Sequence, residues 1–282
     1  MRARCPCSSA NLGPGFDALA LALNLYVDVE IVEADSLTIK TEGAGAELPQ
    51  GPTHLAAVVA RQVLGHDNVA ITVRSDIPVA RGLGSSAALA AAAAAAAGAS
   101  DPLAIATQVD GHAENAAASV LGGLVGATVV DGAPVARSLA LDDRLAFVAL
   151  IPERMLSTKD ARAALRQEVP LKDAAANLGR LAVLIAGFAN ADLFSPHAMD
   201  DALHQPYRIP LFPESAGLMD GLRAAGALGA CWSGAGSTIL AVTTTDAANA
   251  VRAAGESLLA AASVNGRSLR LEPDRDGLVV TH

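Results

Sequence analysis

The sequence predicts an α+β fold in two parts, which we place at residues 1–152 and 153–282. Segments that alternate apolar and polar side chains, as half-buried strands do, dominate before residue 150, and segments with helical spacing dominate after it. Hydrophobic residues make up 52% of the 282 residues and charged residues 17%, so the chain can bury a substantial core. Separate runs of strands and of helices are typical of α+β proteins.

The first part is predicted to contain most of the strands, with several helices between them. Its predicted strands cover residues 27–32, 37–40, 69–75, 124–130 and 145–151. Residues 53–64 have apolar side chains at helical spacing, and we expect this helix to begin at a Thr53 cap. Residues 87–97 are almost all alanine, the strongest helix former, and shorter helices are expected at 101–106 and 114–119.

The second part is predicted to be mostly helical. Its amphipathic segments cover residues 160–166, 173–191, 215–225 and 247–262. Strands are expected at 238–242 and 269–271. The boundary between the parts is placed just after Pro152, where the apolar strand 145–151 ends.

Charge and composition exclude several classes of function. The chain has 20 basic and 29 acidic residues, and no window forms the basic stripe that nucleic-acid binding needs. Its longest apolar run is shorter than the roughly 20 residues of a membrane-spanning helix. No apolar stretch follows Arg2 and Arg4, so no secretory signal is expected. Three cysteines cannot build a disulfide framework, and we expect a cytoplasmic protein whose partners are small molecules.

A glycine-rich loop directly precedes the alanine-rich helix. It reads Pro78-Val79-Ala80-Arg81-Gly82-Leu83-Gly84-Ser85-Ser86-Ala87-Ala88. Glycines let the backbone approach a ligand closely, and the first amides of a helix are free to bind a phosphate. The alternative is a simple turn capped by a serine. The loop lacks the lysine of a P-loop and the third glycine of a dinucleotide fingerprint, which points to another class of nucleotide site.

This loop resembles the second motif of the GHMP kinases, a superfamily that includes galactokinase, homoserine kinase and mevalonate kinase. Residues 8–17, Ser-Ser-Ala-Asn-Leu-Gly-Pro-Gly-Phe-Asp, match the first motif in the form typical of homoserine kinases. Residues 228–238 resemble the third, glycine-rich motif. Further similar segments lie at residues 110–115, 157–162 and 204–208, so six segments occur in the family's order.

The resemblance implies a fold and an activity. The first part would be like domain 2 of ribosomal protein S5, and the second would be ferredoxin-like. The activity implied is ATP-dependent phosphorylation of the hydroxyl of L-homoserine to O-phospho-L-homoserine, on the route to threonine. Residues 78–88 would bind ATP, and Ser86 and Asp110 would hold Mg²⁺. The family also implies a homodimer.

The resemblance also assigns the substrate residues. It places Asn11, Asp17, His112, Asn115, Arg162 and Arg208 at substrate-binding positions, with Asn115 and Thr158 at catalytic ones. The guanidinium groups suit the substrate carboxylate, and the Asp17 carboxylate suits the ammonium group. An asparagine cannot take a proton, so we expect no side-chain general base and expect the γ-phosphate to accept the hydroxyl proton.

Each assignment has a structural alternative. Asp17 could end a turn, Arg162 could be a surface helix residue, and His112 could be an ordinary loop histidine. Arg208 could bridge to Asp200 or Asp201.

Departures from the family pattern leave other functions open. Ala235 and Ser237 replace a serine and a proline of the third motif, and Asp110 replaces a glutamate. One alternative is a GHMP kinase with another acceptor, such as mevalonate. A second is a non-catalytic ATP-binding protein. A serine hydrolase is a third, but the nucleophile-elbow pattern is absent around Ser85 and Ser233.

Overall fold

The computed structural model describes residues 1–281 and arranges them as two β-sheets with helices packed against them. The strands are β1 (Arg2–Asn11), β2 (Gly15–Glu33), β3 (Thr38–Gly43), β4 (Val69–Ser75), β5 (Leu124–Val130), β6 (Ala133–Leu139), β7 (Leu145–Pro152), β8 (Gly229–Trp232), β9 (Ile239–Thr244), β10 (Gly266–Leu271) and β11 (Val279–Thr281). The helices are α1 (Leu55–Leu64), α2 (Ser85–Ala96), α3 (Pro102–Asp110), α4 (Ala113–Leu121), α5 (Thr158–Ala163), α6 (Leu171–Ala189), α7 (Gln205–Arg208), α8 (Glu214–Ala224) and α9 (Ala248–Ala261). None of the helices in this range is long and apolar enough to cross a membrane.

The larger sheet has seven strands and is organised around β2. Five of its strands follow the order β11-β1-β2-β4-β3, and β5 and β6 extend the sheet beside the first half of β2. At 19 residues, β2 pairs with β5 near Leu19–Leu21 and with β4 from Val27 to Glu33. Its length lets one strand serve two sets of neighbours.

The smaller sheet has the order β10-β7-β9-β8, with every pair antiparallel. The predicted boundary after residue 152 follows β7 directly, and this strand pairs with β9 and β10, which lie beyond that boundary. The last strand, β11, returns to the larger sheet beside β1. Every residue of β7 is buried, so its apolar run carries no signal of which sheet it joins.

The alanine-rich helix α2 lies at the centre of the first part. Nine of its alanines are buried, and it contacts α1, α3, α4, β1 and β2. Small side chains allow these neighbours to approach on all sides. The close packing fixes the amino-terminal end of α2, where the glycine-rich loop enters.

The first helix begins differently from the prediction. Its cap is His54 rather than Thr53, because the His54 side chain accepts a hydrogen bond from the Ala56 amide at 3.2 Å. Strands β1, β6, β8 and β11, the first half of β2 and the short helix α7 were not predicted. Most residues of β1 are buried without alternation, and the other elements are short or exposed, or depend on distant partners for their pairing.

Candidate active site

A cleft of about 520 Å³ lies between the two parts of the chain. All the side chains expected at the substrate line it, namely Asn11, Asp17, His112, Asn115, Thr158, Arg162 and Arg208. Seven of the eleven loop residues line it too, from Val79 to Ser86 with the exception of Arg81. Five separated segments therefore meet at one place.

The glycine-rich loop closes over the start of α2. Gly82 and Gly84 have positive φ angles of 73° and 60°. A Cβ atom at Gly82 would collide with the Ser233 carbonyl, and one at Gly84 would collide with the Ser8 hydroxyl. Only glycine therefore lets the loop lie against both neighbours while the first amides of α2 stay accessible.

Arg81 faces away from the cleft. Its guanidinium donates to the carbonyl oxygens of Val79, Pro152 and Glu153 at 2.6, 3.0 and 2.5 Å. This side chain therefore fastens the loop to the carboxyl end of β7. The predicted contact between Arg81 and ATP would therefore involve the backbone of Arg81 and not its side chain.

The third glycine-rich segment, residues 228–238, packs against the loop although it departs from the family pattern at two positions. Ser233 Oγ donates to the Gly82 carbonyl at 2.6 Å, and the Gly234 amide donates to the Ala10 carbonyl at 3.0 Å. Ser237 Oγ donates to the Arg154 carbonyl at 2.5 Å. The turn forms with Ala235 and Ser237 in place.

Ser86 and Asp110 lie side by side at the start of α2. Ser86 Oγ donates to Asp110 Oδ1, and His112 Nδ1 lies 3.2 Å from Asp110 Oδ2. A hydroxyl and a carboxylate are hard oxygen ligands that fit Mg²⁺. Residues 1–281 contain no cluster of three His, Cys, Asp or Glu side chains that could hold a metal ion alone. A cation here would need phosphate oxygens and water to complete its shell.

Asp17 and Arg162 form an ion pair across the cleft. Arg162 Nη2 and Nη1 donate to the two Asp17 carboxylate oxygens at 2.8 and 3.0 Å. The Asn11 Oδ1 atom accepts from the Asp17 amide at 3.1 Å and holds that residue at a positive φ of 53°. Hydrogen bonding to Asp17 raises the pKa of Arg162. Arg162 also donates to His112 Nε2 at 3.1 Å, so both residues face the cleft rather than the outer surface.

Arg208 carries a buried positive charge that forms no salt bridge with a carboxylate in residues 1–281. Its residue is 3% exposed, and it makes no bridge to Asp200 or Asp201. Nη1 donates to the Gly234 carbonyl at 2.7 Å and to His204 Nδ1 at 3.0 Å, while Nε has no partner. Burial lowers its pKa to about 10, so the group stays charged near neutral pH. A buried unpaired charge with a free donor suits an anionic ligand.

Asn115 is held at both ends of its amide. Its Oδ1 accepts from Ser8 Oγ at 2.8 Å, and its Nδ2 donates to Glu114 Oε1 at 3.1 Å. Glu114 was not predicted, although it lines the cleft and is only 2% exposed. Burial raises its pKa to about 7. Its place beside Asn115 was visible in the sequence, but its burial was not.

Replacing Glu114 by glutamine tests this burial. Because the folded-state pKa is about 7 against an ordinary 4.5, unfolding releases a proton and native stability falls as pH rises through this window. Glu114→Gln is expected to raise the free energy of unfolding at pH 8 by about 2–3 kcal/mol, and by much less at pH 5. Urea unfolding at both pH values measures this. The exposed Glu168→Gln serves as control, and an equal effect of Glu114→Gln at the two pH values would contradict the assignment.

A second, more apolar cavity of about 290 Å³ adjoins the loop. It shares Val79, Ser85 and Ser86 with the cleft. Its remaining walls come from β2, β3, β4, α1, α2 and the segment 44–54, and include Val27, Leu48, Pro49, Val73 and Leu89. No local motif marks this cavity, because its walls are contributed by residues far apart in the chain.

Comparisons with known proteins identify the family of this chain. The family described as GHMP kinases N terminal domain matches residues 52–123, and GHMP kinases C terminal matches residues 173–261. A homoserine kinase of Moorella thermoacetica is 42% identical, with 84% of this chain and 86% of that protein covered. One from Streptomyces coelicolor is 39% identical, with 90% and 87% covered.

Solved structures give the same result. A homoserine kinase from Cytophaga hutchinsonii has a TM-score of 0.87 at 25% identity, covering 100% of this chain and 97% of that one. A mevalonate kinase from L. major in complex with R-mevalonate has a TM-score of 0.71 at 15% identity, with 96% and 95% covered, which shows a shared fold alone.

Proposed function

The chain belongs to the homoserine kinase family of the GHMP kinases, and on this premise we propose that it transfers the γ-phosphoryl group of ATP to the hydroxyl of L-homoserine. The product would be O-phospho-L-homoserine, on the route to threonine. The observation that carries the proposal is the buried, unbalanced charge of Arg208 in a cleft that also holds the Asp17 carboxylate. A zwitterion with a free hydroxyl matches both charges.

Binding of the substrate would replace the ion pair between Asp17 and Arg162 with ion pairs to the carboxylate and the ammonium group of the substrate. Its carboxylate binds Arg208, whose guanidinium has no carboxylate partner of its own in the described chain. Its ammonium group takes the place of Arg162 at Asp17, and this frees Arg162 for the carboxylate. Mevalonate has a carboxylate but no ammonium group, so it would leave Asp17 without a positive partner.

The nucleotide would lie along the loop. The amides at the start of α2 receive its phosphates, and the apolar cavity beside Ser85 and Ser86 suits the adenine ring. Ser86 and Asp110 hold the cation, which when bound neutralises charge on the phosphates. Asp110 is one methylene shorter than the glutamate usual in the family, so we expect weaker binding of the metal.

Catalysis would rest on positioning, without a side-chain general base. Asn115 presents an amide to the substrate hydroxyl, and Thr158, at the start of α5, lines the opposite wall. The Glu114 carboxylate accepts from the Asn115 amide and fixes its orientation. The hydroxyl proton passes to the γ-phosphate.

Asn115→Ala is expected to lower kcat by roughly 10- to 100-fold, because a misplaced acceptor hydroxyl reacts slowly even when bound. The KM for ATP should change little. Steady-state kinetics with L-homoserine measure both. Full kcat in this variant would remove Asn115 from the positioning of the hydroxyl.

A panel of acceptors separates this proposal from its alternatives. ADP release by the purified protein with Mg-ATP is measured with L-homoserine, with mevalonate and with no acceptor. Release that depends on L-homoserine supports the proposal, and release that depends on mevalonate supports another GHMP activity. ATP binding with no release under any condition supports a non-catalytic protein. A cytoplasmic homodimer is a further proposal that rests on family membership.

A further inference from the structure

We propose that His204, together with Phe16, forms an uncharged cradle that positions the Arg208 guanidinium for the substrate carboxylate. His204 is thus a positioning residue that acts through Arg208. The inference rests on the proposed function and explains how the Arg208 guanidinium is held in position before the substrate carboxylate binds. None of the motif assignments gave His204 a role.

The hydrogen bonds of His204 allow one neutral tautomer. Its side chain is 0% exposed, with Nδ1 3.0 Å from Arg208 Nη1 and Nε2 2.8 Å from the Gly13 carbonyl oxygen. A guanidinium only donates and a carbonyl only accepts, so Nδ1 must accept while Nε2 carries the hydrogen. Burial lowers the pKa of His204 below its ordinary value, which keeps the ring neutral near pH 7.

The acid that lies within 4 Å of His204 forms its hydrogen bonds elsewhere. Asp201 Oδ2 lies 3.6 Å from His204 Nε2, which is too long for a hydrogen bond. That oxygen accepts from the backbone amides of His204 and Gln205 at 2.8 and 2.6 Å. Asp201 therefore forms hydrogen bonds with the first amides of helix α7 and not with the imidazole of His204.

Phe16 completes the cradle without adding charge. Its ring stacks on the His204 imidazole at 5.2 Å between centroids. The guanidinium carbons of Arg162 and Arg208 lie 5.5 and 5.7 Å from its centre. A ring face attracts both cations but cannot neutralise either one.

Because His204 and Phe16 carry no charge, they leave the positive charge of Arg208 available to the substrate. Asp17 pairs with Arg162, so that guanidinium must exchange its partner before it meets a ligand. Arg208 is held only by a lone pair, a carbonyl and a ring face, so its charge remains available. A carboxylate at position 204 would satisfy Arg208 internally and weaken its attraction for the substrate.

The test compares His204→Asn with His204→Asp, two side chains of nearly equal shape. Asparagine keeps a neutral acceptor near the Nδ1 position, whereas aspartate adds a charge. We expect the KM for L-homoserine to rise less than about fivefold in His204→Asn and roughly 10- to 100-fold in His204→Asp. The KM for ATP should stay near wild type in both. His197→Asn, at a histidine whose side chain is 84% exposed, is the control and should change neither constant.

Calorimetric titration with L-homoserine tests the uncharged cradle separately from the proposed function. Equal affinity in the Asn and Asp variants would overturn the uncharged cradle, whereas a wild-type protein that binds no L-homoserine would overturn the proposed function. Should the Asp variant fail to fold, His204→Leu and Phe16→Leu take its place. Both are expected to weaken L-homoserine binding several-fold by loss of the acceptor or of the ring face. Wild-type affinity in both would overturn the proposal.

Discussion

Arg208→Ala is expected to weaken the use of L-homoserine by about 2–5 kcal/mol, or roughly 30-fold to several thousand-fold in kcat/KM. The buried guanidinium is the one fixed positive charge of the cleft that lacks a carboxylate partner in residues 1–281. Its removal leaves the substrate carboxylate desolvated, with only Arg162 to receive it. ATP affinity should remain close to wild type, because the loop and the start of α2 keep their contacts.

A lysine and a surface arginine provide the controls for this experiment. Arg208→Lys keeps the charge but loses the fork that binds a carboxylate with two donors, so an intermediate loss is expected. Arg223→Ala removes an arginine that already pairs with Asp220, and it should leave both substrates unaffected. Loss of ATP binding in Arg208→Ala, with L-homoserine binding retained, would assign Arg208 to the nucleotide instead.

Gly84→Val is expected to weaken ATP binding by at least about 100-fold while the two sheets remain folded. The backbone of Gly84 has a φ of 60°, a region that L-residues enter at a cost of roughly 1–2 kcal/mol. Its new side chain would meet Ser8 Oγ and would lie within 2.9 Å of Asn115 Oδ1. The loop must move away from both, and the amides at the start of α2 move with it.

Gly65→Val is the matched control for Gly84→Val. Gly65 has a φ of 79° at the end of α1, and a Cβ atom there would meet nothing within 4 Å. The two variants share the backbone strain, but only Gly84→Val disturbs the loop. Calorimetric titration with ATP and thermal unfolding are measured on both. Normal ATP affinity in Gly84→Val would remove the loop from the nucleotide site.

The sequence was sufficient to predict the family and the α+β class, and the comparisons confirm both. The motif from Pro78 to Ala88 predicted a strand, loop and helix in the right order. The resemblance to the family was the reason to expect residues of six segments in one site. No local sequence pattern indicates that Asp17 and Arg162 meet across a cleft. Their individual roles remain predictions.

What the sequence left out depends on distant contacts. The burial of Glu114 and the double hydrogen bonding of His204 arise from tertiary packing, which single side chains do not reveal. The apolar cavity beside the loop draws its walls from several elements. Strand β7 was predicted, but its partners lie about 90 and 120 residues further along the chain, so nothing local indicates which strands it pairs with.

Identification of the reaction products tests the proposed homoserine kinase activity. The protein is incubated with Mg-ATP and L-homoserine, and the products are quantified by mass spectrometry. We expect one O-phospho-L-homoserine for each ADP, with no phosphorylated product from mevalonate under the same conditions. ATP binding without any phosphorylated L-homoserine would contradict the account, and the departures at Asp110, Ala235 and Ser237 would then be the first positions to revert to the family pattern.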